Sequence, residues 1–298
     1  MEDRNYESGK VNINKARESI TKYFFLLCAF LSVIFILLIS AFIFNGGYNF
    51  IKQVGIKDFI FNSKWKPLDT PASYGISSMI IGSLLVTFLA SIMAIPIAIF
   101  TSSFLVFDCS PKLYRILKPA LNLMAGIPSI IYGFFALTVM VPIMKNLFGG
   151  DGMNILTASM LLLIMILPTI ISIAESSIRA VPKSYYAGSV ALGASHERTV
   201  MRVMLPSAKS GIFAGIILGI GRAIGETMAV ILVAGNQPRT TFNILKGIRT
   251  MTTNIVMEMG YAEGLHREAL IATAAVLFIF ILIINISFFI FKKRSEKL

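Results

Sequence analysis

Two charged residues interrupt an otherwise apolar stretch, "GIGRAIGETMAV" at residues 219–230: Arg222 and Glu226. An arginine stays protonated and offers a planar fork that pairs bidentately with phosphate-type oxygens. A carboxylate next to it can orient the fork and keep an empty site neutral. On a helix, their four-residue spacing puts both on one face and within reach of each other. Left in lipid, either charge would cost about 2.5–3.5 kcal/mol, so both are expected to face the bundle interior or a wet cavity. Two roles fit: a salt bridge that braces helix packing, or an anion contact on a substrate path. Gly219, Gly221 and Gly225 would let a neighbour or a substrate approach the backbone closely.

The surrounding elements decide whether this stretch lies in a membrane. The chain has 298 residues, of which 56% are hydrophobic and 14% charged, and its mean hydropathy is +0.77. A soluble domain of this size cannot hide so much apolar surface, which points to an all-α integral membrane protein. A span needs about 20 mostly apolar residues. Six transmembrane helices are therefore predicted, at 23–44, 77–107, 119–144, 153–174, 211–234 and 269–291. Pro96 and Pro128 are the expected kink sites in the two longest. The first span is too long for a cleavable signal, and no small-residue cleavage pattern follows it.

The net charge of +12 raises the question of nucleic acid, but the arrangement of the charges answers it. Seventeen lysines and arginines fall on one side of the predicted spans and nine on the other. Positive loops stay cytoplasmic, so both termini are expected inside. This divides the chain into a polar cytoplasmic arm (1–22), an extra amino-terminal helix (23–44) and an external loop (45–76). A transmembrane domain (77–291) and a basic membrane-surface tail (292–298) follow. Trp65 and Tyr74 in the first outer loop fit interfacial anchors or part of a docking surface. The outer loop 235–268 offers a second such surface. Cys28 and Cys109 form no disulfide framework. His196 and His266 fall on opposite predicted sides, so they share no metal, and each reads as a solvated loop residue.

The cytoplasmic segment 176–210 reads as a short amphipathic helix, a turn at Gly193, and a second piece ending in "VMLP". Pro182 opens the unit and Pro206 closes it. Tyr185, Ser189, Leu192 and His196 mark one face, and Ala187, Val190, Ala191 and Ala194 another. The segment is too short to span, which leaves a re-entrant or surface helix, or a docking helix for a cytoplasmic partner. No G-x-x-x-x-G-K-[ST] loop occurs, so the chain does not bind ATP through that motif. Nor is there a Ser/His/Asp constellation, and nothing indicates an enzyme.

At this segment the sequence resembles the permease subunits of bacterial ABC importers. Their signature reads E-A-A, three residues, Gly, nine residues, then Ile-x-Leu-Pro. Here Gly193 is followed by nine residues and then Val203, Met204, Leu205 and Pro206, whereas Ala187, Gly188 and Ser189 stand in place of E-A-A. "AGIPSIIYGF" (125–134), "RAIGETMAVILVAGN" (222–236) and "W-K-P" followed by "YGISSMIIGSL" (74–84) are similar to the phosphate-specific, PstC type. The resemblance implies a coupling helix between spans four and five, at Ala187, Gly188, Ser189, Gly193, Val203, Leu205 and Pro206, and a substrate path at Arg222 and Glu226. It also implies a second, PstA-type permease subunit, two cytoplasmic ATPases that carry ATP and Mg, and an external binding protein that delivers phosphate. No cofactor is expected on this chain itself. A permease for sulfate or molybdate, or a proton-coupled secondary transporter, is the alternative; a secondary transporter usually shows an internal repeat, and none is visible here.

The charge split generates a topology test. In a cysteine-free background, a single cysteine near Thr241 should react with an impermeant thiol reagent in intact cells, and one near Lys183 should not. The opposite pattern would overturn the assignment of sides.

Overall fold

The computed structural model describes residues 2–295. The role expected of the basic tail 292–298, and the character expected of the side chains in the first 17 residues, lie outside what it describes. Helix α1 (Glu2–Val54) carries the first apolar run within Thr21–Val54. Beyond Gly55 come α2 (Ile56–Phe61) and an antiparallel hairpin, β1 (Trp65–Lys66) and β2 (Ser73–Tyr74), with Trp65 opposite Tyr74. This small strand pair is the exception to the all-helical expectation. Then follow α3 (Ser77–Phe107), α4 (Pro111–Gly126), α5 (Ser129–Phe135), a π-helical turn (Ala136–Met140), α6 (Val141–Phe148) and α7 (Ile155–Arg179). The remainder is α8 (Lys183–Ala191), α9 (His196–Thr199), a second π-helical turn (Val200–Met204), α10 (Leu205–Ser207), α11 (Lys209–Gly225), α12 (Val230–Val233), α13 (Met251–Glu258) and α14 (Gly264–Ser295).

Among the described residues five stretches are long and apolar enough to cross a membrane: Thr21–Val54, Ser77–Phe107, Ser129–Phe148, Ile155–Arg179 and Gly264–Ile290. At the position of the expected fifth span the chain is broken instead. His196–Ser207 and Lys209–Gly225 meet at a bend of 71°, and the helix stops at Gly225, short of residue 234. The third span also differs, starting at Ser129 and not at residue 119. Pro128 is the cause. A proline disfavours the helical region for the residue before it, and Ile127 is extended at φ −69°, ψ 128°. Residues 119–126 thus belong to α4, whose start is fixed by Ser110 accepting from the Leu113 amide and by Pro111 in the first turn. Pro96, by contrast, lies inside an unbroken α3.

The core sits between α3 and α7. Val86, Ala90, Ala94 and Ala98 of α3 cluster with Ala158, Leu162, Met165 and Ile166 of α7, and Ser159 donates to the Val86 carbonyl at 3.2 Å. Small residues on α3 let the two helices approach closely. Helix α11 packs on α7 the same way: a Cβ added to Gly219 would lie 2.6 Å from Ile170. Gly221 and Gly225 face open space, so of the three glycines singled out only Gly219 serves packing. Helix α1 packs chiefly on α14, and none of its apolar window is buried within the chain.

Helices α3 and α7 run parallel. At one end, the Ile155 amide donates to the Lys246 carbonyl and the Met251 amide to the Ser83 hydroxyl. At the other, Arg179 donates to the Leu105 carbonyl. The loop 235–268 therefore folds into the bundle, and it is not simply an outer surface. Its helix α13 begins with a reciprocal Thr250–Thr253 cap and buries Met251, Thr253 and Asn254 completely.

At the end of α13 lies Glu258, 6% exposed. It accepts from the Trp65 indole N–H at 2.8 Å, pairs with His266 Nε2 at 2.8 Å, and forms an ion pair with Arg249. Trp65 and His266 are thus buried partners of a carboxylate, and they are neither an interfacial anchor nor a solvated loop residue. The reason is electrostatic: a buried carboxylate persists only when paired and hydrogen-bonded. Glu258→Ala would leave Arg249 as an uncompensated buried charge, a loss of about 3–5 kcal/mol. It should lower the unfolding midpoint in detergent well below that of wild type. Lys66→Met, which breaks the exposed Lys66–Asp69 pair, should leave the midpoint unchanged. Equal midpoints for the two variants would refute the buried lock.

Candidate substrate path and coupling unit

Arg222 occupies the last turn of α11. The helix ends at Gly225, and Glu226 is extended at φ −70°, ψ 130°, so the expected shared helical face does not form. Glu226 Oε1 instead accepts the amide hydrogens of Thr227 and Ala229, each at 3.1 Å, and so caps the break before α12. The Glu226 carbonyl accepts from the Thr252 hydroxyl at 3.0 Å, which ties α13 to the same point. Arg222 Nη1 donates to Thr169 Oγ1 at 3.2 Å. Among the described residues no ion pair joins Arg222 to Glu226 or to any other carboxylate. The bracing salt bridge is therefore corrected: the carboxylate is engaged by backbone amides.

Thr169 is the fifteenth of the 25 residues of α7, which places Arg222 near mid-span. Thr169 follows Pro168, which lacks the amide proton that would normally reach back one turn. From α5, the Tyr132 phenol donates to the Met124 carbonyl at 2.8 Å, and a Cβ on Gly133 would lie 2.8 Å from the Ala229 Cα. Four elements, α5, α11, α12 and α13, thus meet at the unwound residues 226–229, and α7 reaches Arg222 just before them. The chemistry on offer is a half-buried permanent cation next to a hydroxyl. Because Thr169 accepts from Arg222, it keeps its own proton to donate to an oxygen ligand.

The second site is the α8–α10 unit. Gly193 sits at φ +84°, a region open to glycine, and turns the chain between α8 and α9. The Ser195 hydroxyl then caps α9 by accepting from the Arg198 amide. Tyr186 Oη meets His196 Nδ1 at 2.8 Å, His196 Nε2 meets Asp108 at 3.1 Å, and the Ser189 and Thr199 hydroxyls lie 2.9 Å apart. The Phe107 ring stacks on Tyr186 at 16°. These contacts fasten the unit to the end of α3. The inward face is therefore Tyr186 and Ser189, and Tyr185 and Leu192 point outward, Leu192 at 91% exposure. Of the expected coupling residues, Ala187, Gly188, Gly193 and Pro206 are exposed, and Ser189, Val203 and Leu205 are half-buried.

Sequence reasoning missed Glu175. It sits four residues from the end of α7 and is 2% exposed. It accepts from Tyr114 Oη and Lys118 Nζ of α4, each at 2.7 Å, and from Arg179 Nε at 2.9 Å. The Arg179 guanidinium lies 4.9 Å from the Tyr114 ring centroid. The hydrogen bond to Glu175 holds the Tyr114 phenol above its ordinary range, and burial acts the same way. No residue of helix α4 is itself fully buried; Glu175 fastens it to α7 beside the half-buried Leu117 and Leu121, which pack on the core. The i,i+4 spacing of Glu175 and Arg179 after an apolar run was the available signal. No group of three or more His, Cys, Asp or Glu among the described residues could hold a metal.

Comparison with known proteins gives a consistent result. Residues 94–297 match the family described as binding-protein-dependent transport system inner membrane component. The chain is 33% identical to the phosphate transport system permease protein PstC of Xylella fastidiosa (strain 9a5c), over 88% of each chain. It is 32% identical to the probable PstC of Methanocaldococcus jannaschii, over 95% of this chain and 97% of that one. It is 35% identical to the probable ABC transporter permease protein YqgH of Bacillus subtilis (strain 168), over 76% of each. Among solved structures, a chain of the MetNI methionine ABC transporter in an inward-facing conformation superposes with a TM-score of 0.60 at 20% identity, covering 74% of this chain and 95% of that one. A chain of a bacterial alginate ABC transporter superposes at 0.63 and 16% identity, covering 91% and 94%. With apolar membrane-length helices, an unwound segment beside Arg222 and a fastened α8–α10 unit, the chain belongs to the family of multi-pass inner membrane components of binding-protein-dependent transport systems.

Proposed function

We propose that this chain is the PstC-type permease subunit of an ATP-driven phosphate importer, with Arg222 as the anion contact on its path. The observation that carries this reading is a half-buried arginine near mid-span whose partner is a hydroxyl, with no carboxylate paired to it. A half-buried guanidinium left in that state suits a passing oxyanion that pairs bidentately with it. Irregular backbone at membrane depth is tolerated where it is buried in protein or lines a water-filled cavity, and residues 226–229 fit the wall of such a path. Glu226 shapes that wall through its two amide contacts.

In this reading α11, the unwound residues 226–229 and α12 together supply the sixth crossing, both termini face the cytoplasm, and the α8–α10 unit is cytoplasmic. Its exposed outward face, with Tyr185, Ala187, Gly188 and Leu192, meets one of two ATPase subunits that carry ATP and Mg. A second, PstA-type permease completes the path, and an external phosphate-binding protein delivers the substrate. The PstC relatives support phosphate over sulfate or molybdate.

Radiolabelled phosphate uptake, normalised to inserted protein in cells lacking other phosphate importers, tests the path. Arg222→Gln should abolish uptake, and Arg222→Lys should lose most of it because the planar fork is gone. Glu226→Gln should be milder, since an amide oxygen can still accept from Thr227 and Ala229. Near-normal uptake by Arg222→Gln would remove Arg222 from the path, and uptake of sulfate in place of phosphate by the wild type would change the substrate.

Coupling is tested separately at Gly193. A Cβ there meets nothing within 4 Å in this chain, so the cost of a side chain is backbone strain at positive φ, about 1–2 kcal/mol. Gly193→Asp should insert normally yet lose ATP-driven uptake, and Gly193→Asn, which tolerates this conformation better, should retain more. Full uptake by an inserted Gly193→Asp variant would contradict the coupling role.

A further inference from the structure

Behind the α8 unit lies a cleft of about 510 Å³ that the transport reading does not use. Its walls include Phe107 at the end of α3, Arg179 at the end of α7, Lys183 at the start of α8, and the Tyr186 and His196 rings. The volume is in the range of small-ligand sites, roughly 300–1,000 Å³. Two basic side chains line it from different helices. Arg179 gives one donor to Glu175 and one to the Leu105 carbonyl, and a guanidinium has five in all. Lys183 is exposed and has no hydrogen-bond or ion-pair partner among the described residues. The first turn of α8 opens at Lys183, so its amide dipoles add to the positive field there. Of the acids nearby, Glu175 is engaged by Tyr114, Lys118 and Arg179 and Asp108 by His196, and Glu197 is solvent-exposed.

We infer that this cleft binds a phosphate-bearing anion, held between Arg179 of α7 and Lys183 of α8. The same chemistry has two sources at this depth, inorganic phosphate in the cytoplasm and the headgroup of an anionic phospholipid. Either would bridge α7 to α8 and restrain the coupling unit against the spans, so that a filled cleft slows transport from inside. That consequence rests on α8 being the ATPase contact, whereas the binding itself does not.

The test reads the cleft directly. Cys28 and Cys109 are replaced, Val181→Cys is introduced on the cleft wall, and its alkylation rate is followed in the purified full-length chain in nanodiscs. Inorganic phosphate is titrated into phosphatidylcholine discs against chloride at equal ionic strength, and a parallel series adds phosphatidylglycerol. Both are run with Arg222 intact and as Arg222→Gln, so that an effect of the transport path is separated from one of the cleft. Slowing by phosphate in both backgrounds supports the free anion, and slowing by phosphatidylglycerol alone supports the headgroup. In either case Lys183→Gln should raise the half-protecting concentration roughly tenfold, the factor expected for one lost charge-assisted contact. Lys183→Gln leaves no buried partner unpaired, so folding is not at stake. No slowing by either ligand, slowing that vanishes with Arg222→Gln, or a half-protecting concentration left unchanged by Lys183→Gln would overturn the proposal.

Discussion

A backbone inside hydrocarbon must satisfy its own hydrogen bonds, and the break at Glu226 is the point where this chain does so without a helix. The Glu226 carboxylate takes two amides of the unwound segment, and the Thr252 hydroxyl takes the Glu226 carbonyl. That arrangement needs α13 in the bundle, and α13 is held there by the Thr250–Thr253 cap and by Met251 against Ser83. The Glu258 lock to Arg249, Trp65 and His266 then fixes the far end of α13 to the hairpin and to α14. The hairpin and the segment 235–268 therefore serve the break at Glu226.

The same economy explains the distribution of charge. Buried carboxylates occur where cations or N–H donors surround them: Glu175 between α4 and α7, and Glu258 between α13 and the outer hairpin. Arg222 departs from the pattern, because its partner is neutral. Two well-paired carboxylates hold the ends of the bundle, and between them sits a guanidinium with no carboxylate paired to it among the described residues. An unpaired cation at that depth is costly as structure alone. Its persistence makes sense when the missing charge arrives with the substrate.

Much of this was legible in the sequence. Apolar runs gave the positions of the crossings, Gly193 gave the turn, and the Arg222–Glu226 stretch gave the place where a charge had to be explained. What was lost was local geometry. Hydropathy continues smoothly through Pro128 and through Gly225, yet the first is a break set by the residue before proline and the second is the end of a helix. Glu226 read as helical because periodicity carries no record of a carboxylate turning back onto amides. Trp65 read as interfacial because its partner, Glu258, is 193 residues away in the chain, and His266 read as solvated because nothing in a loop sequence shows that the segment folds into the bundle. Tyr185 and Tyr186 are adjacent, and only packing against Phe107 and His196 decides which turns inward.

The central claim is that the unwound segment beside Arg222 lines a wet, phosphate-carrying path. Gly221 and Gly225 both have open space where a side chain would go, so a cysteine at either position reports on that space without disturbing it. In the assembled importer, with Cys28 and Cys109 replaced, Gly225→Cys is exposed to a membrane-impermeant charged thiol reagent and the rate is measured with and without phosphate. The account predicts reaction with the charged reagent, slowed by phosphate and unaffected by chloride. Reaction only with lipid-soluble reagents, or a rate indifferent to phosphate, would contradict it.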